Sequence, residues 1–159
     1  MDSADHSNYK RLLVTLVISF LIMYGVMFLN VSKLSDIYLS FTRTYMSLLM
    51  VTPMAVVMVL LMPKMYVSKK LNTIIFISAL IIFVFALTGL RSQAFISDTQ
   101  YMKAMIPHHS SAILTSKNAN IKDAQVRQLS DSIIKSQQEE IDLMKSLLKK
   151  VKWTDFKDS

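Results

Sequence analysis

Cysteine is absent from this chain, and only two glycines and three prolines stand among its 159 residues. Without cysteine, disulfide bonds and thiolate metal sites are excluded, and cysteine usage gives no indication of the redox compartment. A site for a soft metal would have to use methionine and histidine, of which the chain has twelve and three. With glycine at Gly25 and Gly89 alone, the sequence offers no glycine-rich phosphate-binding loop.

Charge is scarce in the first part of the chain. Before Arg91 ten residues are charged, whereas Arg91 to Ser159 holds eleven Lys or Arg and eight Asp or Glu. The net charge of +7 does not indicate nucleic acid, because the basic residues alternate with acids, as on a solvated helix face, instead of gathering on one surface. We expect no nucleic-acid binding. We predict two regions, an apolar membrane region at 1–91 and a charged domain at 92–159.

Three uncharged runs of 20 or 21 residues occupy positions 12–32, 44–63 and 71–90. A helix of 20 residues is ~30 Å long, which matches the hydrocarbon core of a bilayer. No small-residue cleavage site follows the first run, so we expect a retained helix and not a signal peptide. The sequence therefore predicts three transmembrane helices in a lipid bilayer.

Positive charge in the short connections indicates the orientation of these helices. The N-terminal segment and the second connection carry five positive residues, which are Lys10, Arg11, Lys64, Lys69 and Lys70. The longer first connection carries two, Lys33 and Arg43. We therefore expect an inner, cytoplasmic membrane protein with a cytoplasmic N-terminus. Three crossings then place the C-terminal domain in the periplasm or outside the cell.

A methionine recurs every fourth residue in the second run, at Met46, Met50, Met54, Met58 and Met62. At ~100° per residue these side chains lie on one broad helix face. The stripe is either a thioether track for Cu(I) or flexible apolar filling between helices. Because packing accounts for most methionines in apolar segments, the stripe is a secondary and weak metal candidate.

The charged domain shows signals for two helices. An S-x-x-Q capping box at 97–100 predicts a helix from about Asp98 to Lys117. A turn at 118–120 and a cap at Asp123 then precede a second helix that ends near Lys150. The short connection predicts an antiparallel hairpin, and the fold class is all-α. Since two helices bury little surface, we expect the hairpin to pack on the membrane portion or on another copy, and we predict a homo-oligomer.

Potential metal ligands are concentrated in the stretch Met102-x-x-Met105-x-x-His108-His109. On a helix these four side chains fit within an arc of ~120°. Folding about residues 120–121 would place His108 and His109 opposite Ile133 and Ser132. It would also bring Gln137 and Glu140 level with the two methionines. Glu140 and Met144 are secondary ligand candidates.

Thioether and imidazole together suit copper, with Cu(I) favoured over Cu(II). Magnesium and calcium prefer oxygen ligands, and zinc would usually take a further His, Cys or carboxylate. The alternative interpretation is that Met102 and Met105 are ordinary core residues and that the histidines lie at the surface or are satisfied inside the domain.

The stretch from Asp98 to Leu148 resembles the domain of unknown function 305 family, whose pattern D-x-x-F-x-x-x-M-x-x-H-H-x-x-A-I is followed by Q-x-x-E-I-x-x-M. The matching residues are Asp98, Tyr101, Met105, His108, His109, Ala112, Ile113, Gln137, Glu140, Ile141 and Met144. The resemblance implies a ferritin-like fold, a membrane-anchored three-span branch and a role in copper binding and resistance. Thr115 departs from the pattern, since the family often has Met there. Longer members carry two hairpins, which supports oligomerisation here.

We predict a membrane-anchored protein that sequesters copper or hands it on in copper resistance. Its partners would be the bilayer, the metal ion and other copies of itself. The alternative is a structural or regulatory interaction module without metal. We predict no enzymatic activity, because the sequence shows no E-x-x-H pair for a di-iron site and no Ser–His–Asp arrangement.

Overall fold

A computed structural model describes the backbone of residues 3–157 and the side chains of residues 7–151. Within that part of the chain the structure has five α-helices, one short 3-10 helix and no strand, which confirms the all-α prediction. The elements are α1 (Ser3–Val26), the 3-10 helix (Leu34–Asp36), α2 (Phe41–Leu61), α3 (Lys69–Ser92), α4 (Asp98–Asn118) and α5 (Ala124–Lys157).

The first three helices are long and apolar enough to cross a membrane, as predicted. The segments that meet this criterion are Ser7–Val26, Phe41–Leu61 and Lys69–Ser92. The first helix ends at Val26, although the uncharged run continues to residue 32. Gly25 lowers helix propensity at this end. Residues 27–30 form a turn instead of a further helical turn.

Contacts divide the chain into two compact units. The membrane unit contains α1, α2 and α3 and extends to Phe95. The helix-pair unit contains α4 and α5 together with the first connection, Phe28–Phe41. The second unit is therefore assembled from two segments that are far apart in the sequence.

In the membrane unit, the start of α1 lies against the connection between α2 and α3. The Tyr9 hydroxyl accepts a hydrogen bond from the N–H of Ser68 at 3.2 Å and donates one to Oδ1 of Asn72, in the first turn of α3, at 2.8 Å. The Asn8 amide donates to the carbonyl of Met65 at 3.2 Å. The N-terminal segment and the second connection thus share one end of the unit. Orientation in a particular membrane stays a prediction.

Gly89 of α3 lies against the ring of Tyr45. A Cβ at position 89 would be 3.0 Å from Cζ of Tyr45, whose hydroxyl donates to the carbonyl of Ala94 at 3.0 Å. We expect Gly89→Ala to displace this ring and cost about 1 kcal/mol, the lower end for overpacking. The measurement is the thermal unfolding midpoint in detergent. Gly25→Ala is the control, because nothing lies within 4 Å of its added Cβ; equal midpoints for the two variants would contradict the prediction.

In the helix-pair unit, α4 and α5 pack through a buried apolar cluster. Its members are Met102, Ile106, Ile113, Ile141 and Leu148. Tyr38 of the first connection packs against the same cluster, together with Ile134 and Met144 of α5. The first connection therefore covers part of the helix pair, a contact that the sequence analysis did not predict. The description of the pair as a ferritin-like half-bundle stays a prediction.

The predicted caps are present, with one difference. Ser97 accepts a hydrogen bond from the N–H of Gln100, and Oδ1 of Asp123 accepts from the N–H groups of Gln125 and Val126, each at 2.9 Å. The Gln100 side chain accepts instead from the N–H of Phe41 at 3.2 Å. It therefore fastens the end of the first connection to the first turn of α4.

The predicted register of the two C-terminal helices is wrong. His109 contacts Glu140 and not Ser132, and the Ser130 hydroxyl donates to the carbonyl of Ser116 at 3.3 Å. The helix ends themselves are close to the prediction, since α4 ends at Asn118 and α5 begins at Ala124. The chain leaves α4 in an extended conformation at Ala119, so it turns back about three residues later than 120–121, which shifts the facing positions by about two turns.

Candidate metal centre

His109 is the predicted ligand whose surroundings are best defined. It is 8% exposed, and its Nδ1 lies 3.1 Å from Oε2 of Glu140 on α5. The approach lacks the alignment of a hydrogen bond, so that Nδ1 is buried without a hydrogen-bond partner in the described part of the chain. A buried ring nitrogen with no partner carries a desolvation cost that a ligand would remove.

The imidazole of His109 is held in its neutral form. Burial lowers its pKa below the ordinary value for histidine; the carboxylate of Glu140 opposes this shift, and the neighbouring His108 adds to it. At neutral pH the ring is therefore mainly uncharged. A neutral imidazole has a free lone pair, which is the form that binds metal ions.

Gln137 supplies a second unpaired acceptor on α5. Its Oε1 is buried and has no hydrogen-bond partner among the side chains and backbone that the structure describes. Residues three apart on a helix share a face, so Gln137 and Glu140 are neighbours on α5. An unpaired imidazole nitrogen on α4 and an unpaired amide oxygen on α5 are features that a bound ion would satisfy.

The remaining predicted ligands divide into two groups. Met102 is 7% exposed within the apolar cluster, and Met144 packs against that cluster. Their packing is what the core interpretation predicts. Met105 is half-buried and His108 is exposed, with the two imidazole ring centres 6.1 Å apart.

Across residues 7–151, no group of three His, Cys, Asp or Glu side chains is placed to hold a metal ion. His109 and Glu140 are brought together, and no third donor of this kind in the described residues completes a metal site with them. A metal site in this unit therefore needs thioether or amide donors in addition, or donors from another chain.

The methionines of the stripe, four in α2 and Met62 directly after its end, lie mostly toward the outside of the membrane unit. Met46, Met50 and Met62 are each 43% exposed. Met54 and Met58 are partly buried, and Met58 packs against the cluster formed by Leu12, Val59 and Tyr66. Packing within the unit accounts for Met58. A metal-binding role for the stripe stays a prediction.

Sequence analysis missed a buried ionic network beside the site. The carboxylate of Asp36 is 2% exposed and accepts hydrogen bonds from Nζ of Lys145 at 2.5 Å and from Oγ of Ser110 at 2.6 Å. The Ser110 hydroxyl in turn accepts from the N–H of Ser32 at 2.8 Å. One carboxylate thus joins the first connection to α4 and to α5.

Two further hydrogen bonds fasten the first connection. The Asn30 amide donates to Oγ of Ser111 at 2.7 Å, and Nζ of Lys33 donates to Oε1 of Gln138 at 3.2 Å. A signal for this role was present in the sequence, because Asp36 is the sole acidic residue between positions 12 and 97.

Comparison with known proteins adds the family. The family described as "Domain of unknown function (DUF305)" matches residues 85–152. The chain belongs to the DUF305 family. The DUF305 segment includes α4 and most of α5, with His109 and Glu140. The chain is also 42% identical over 144 residues to Uncharacterized protein L153 of Acanthamoeba polyphaga mimivirus. The aligned residues make up 89% of this chain and 93% of that protein. No solved structure matches.

Proposed function

We propose that this DUF305 protein binds copper as cargo, principally Cu(I), on its helix-pair unit. The observation that carries the proposal is the buried Nδ1 of His109, which lacks a hydrogen-bond partner and lies 3.1 Å from a carboxylate oxygen of Glu140. The protein would sequester the metal or hand it on without catalysing a reaction.

The donor set fits a soft metal. His109 and Met105 lie one turn apart on α4 and would supply an imidazole and a thioether, the combination that favours Cu(I). His108 and Glu140 would add a nitrogen or an oxygen donor, which suits Cu(II). Met102 and Met144 are the inner candidates, and using them would require a rearrangement of the apolar cluster.

The proposal also includes the cellular location and the orientation of the protein. The three apolar helices would anchor the chain in the cytoplasmic membrane with the N-terminus inside and the helix-pair unit outside. The contacts of Asn8 and Tyr9 with the second connection support this orientation, since they gather the positive residues of both segments at one end of the membrane unit. We also propose a ferritin-like arrangement that is completed by another copy.

The test is a Cu(I) titration of the full-length chain in detergent, under reducing conditions and against a competing chelator. We expect His109→Ala to weaken the apparent affinity at least tenfold, because the variant loses the best-defined donor. His6→Ala is the matched control, since it removes the remaining histidine of the sequence. Unchanged binding by the His108→Ala, His109→Ala double variant would reject this site.

A structural or regulatory module without metal is the second candidate function. The burial of Met102 and the packing of Met144 favour it, because both thioethers already have a role in the core. The two candidates differ in their thermal behaviour. A ligand that binds the folded state raises the unfolding midpoint, and the increase grows with the logarithm of the ratio of ligand concentration to dissociation constant. A midpoint that is unaffected by saturating Cu(I) would favour the module.

A further inference from the structure

The two sides of the helix pair differ in what covers them. One side is covered by the first connection, which reaches Ser110 and Ser111 of α4 and Gln138 and Lys145 of α5. On α4, Ser110 and His108 lie ~100° to either side of His109. Ser110 is on the covered side, so His108 is on the other side, and the contact between His109 and Glu140 lies toward that other side.

The uncovered side carries a row of exposed apolar residues from both helices. On α5, Leu143 and Leu147 lie within ~60° of Glu140, whereas Lys145 is ~140° away from it. The exposed apolar residues of this side are Tyr101 at 53%, Val126 at 48%, Leu129 at 59%, Leu143 at 59% and Leu147 at 39%. We call this surface the open face; it also presents Met105, His108 and Glu140.

The size of the open face matches that of a dimer interface. From Val126 to Leu147 the helix extends ~32 Å, and two packed helices are ~20 Å wide, so the face offers roughly 600 Å² per copy. Two such faces would bury roughly 1,200 Å², which reaches the range of specific protein interfaces. Anchoring in one bilayer would raise the effective concentration of the copies for each other.

The charges of the open face also favour a second copy over a lipid surface. Anionic lipid surfaces attract clusters of Lys and Arg. The open face instead presents the acidic Glu140; on α5, Lys135, Lys145 and Lys149 lie ~140° or more from it, and Lys150 lies ~80° away at the edge of the face. A two-fold contact of the open face with itself would bring Glu140 of one copy toward His108 of the other.

We propose that two copies of this chain associate through their open faces and that the copper site is shared between them. The second half of this inference rests on the proposed function. Met105, His108 and Glu140 of both copies would then face one another beside each His109. This supplies the further donors that one chain does not gather by itself.

Cross-linking tests the interface directly, because a single introduced cysteine is unambiguous in a chain without native cysteine. Leu143→Cys and Ser136→Cys lie on the open face, and exposed Lys135→Cys is the matched control on another side of α5. In native membranes treated with a short bis-maleimide, we expect covalent dimers from at least one face variant and few from the control. No dimer from either face variant, or equal yields in all three, overturns the interface.

A charge introduced on the open face by mutation tests the interface and the shared copper site independently. We expect Leu143→Arg to give monomers in lipid nanodiscs, as determined by mass measurement, and to weaken Cu(I) affinity at least tenfold. Monomers that keep wild-type affinity would show that the metal is held within one chain, so the shared site would be wrong while the proposed function stands. Leu143→Arg that stays dimeric would overturn the interface. Wild-type dimers that bind no copper would leave the interface correct and reject the proposed function.

Discussion

Asp36→Asn is expected to lower the free energy of unfolding of the helix-pair unit by roughly 2–4 kcal/mol, since it removes one partner of a buried charge pair. The variant keeps the shape of the side chain but leaves the ammonium group of Lys145, now 2.5 Å from the carboxylate, without its counter-charge. It also weakens the hydrogen bond from Ser110. The measurement is chemical unfolding of the full-length protein in detergent.

The matched control removes both charges. Because a lone buried charge is costlier than a missing pair, the double variant Asp36→Asn, Lys145→Met should regain part of the loss. Ser35→Ala should have little effect, since its hydroxyl lies 3.4 Å from the same carboxylate. Asp36→Asn with wild-type stability would show that the network does not hold the first connection.

The carboxylate of Asp36 should also make the stability of the helix-pair unit depend on pH in the acid range. Burial alone would raise the pKa of Asp36, but the hydrogen bonds from Lys145 and Ser110 and the charge of Lys145 outweigh burial and lower it. The stabilisation is therefore complete above the ordinary pKa of aspartate, near 3.8, and is lost as pH falls through the lower pKa of the folded state. Wild-type stability should fall more steeply in this range than that of Asp36→Asn; parallel curves would contradict the assignment.

Ile106→Ala should destabilise the helix-pair unit by about 2–5 kcal/mol, the usual cost of truncating a fully buried isoleucine. Ile106 is 0% exposed and lies between α4 and α5 in the apolar cluster. Ile106→Val removes one methyl group and should cost about 0.5–1.5 kcal/mol. The same unfolding experiment measures both, and equal losses would show that the site relaxes around the cavity.

Much of the fold follows from local sequence signals. The uncharged runs predict α1, α2 and α3 because length and apolarity are properties of the segment itself. The caps at Ser97 and Asp123 were predictable for the same reason, since each depends on residues two or three positions away. Such features need no knowledge of what the segment packs against.

The register and the Asp36 network were not predictable in this way. The end of α4 and the start of α5 were predicted to within about one residue, but the path of the chain between them was not. A turning point displaced by about three residues moves the residue that faces His109 by about two turns of α5. Asp36 and Lys145 are 109 positions apart, and no local pattern relates them. Residue types identified the candidate donors, but pairing among them depends on tertiary contacts.

The assembly of the helix-pair unit from two sequence segments limits how this protein can be taken apart. A fragment that begins after α3 would lack Asp36, Tyr38 and the N–H of Ser32, and would expose Lys145 and Ser110 to solvent. Grafting the C-terminal helices onto a foreign anchor would meet the same difficulty unless residues 28–41 were transplanted with them. Chimeras between relatives should therefore exchange both segments together, even though the chain order suggests an anchor with a detachable appendage.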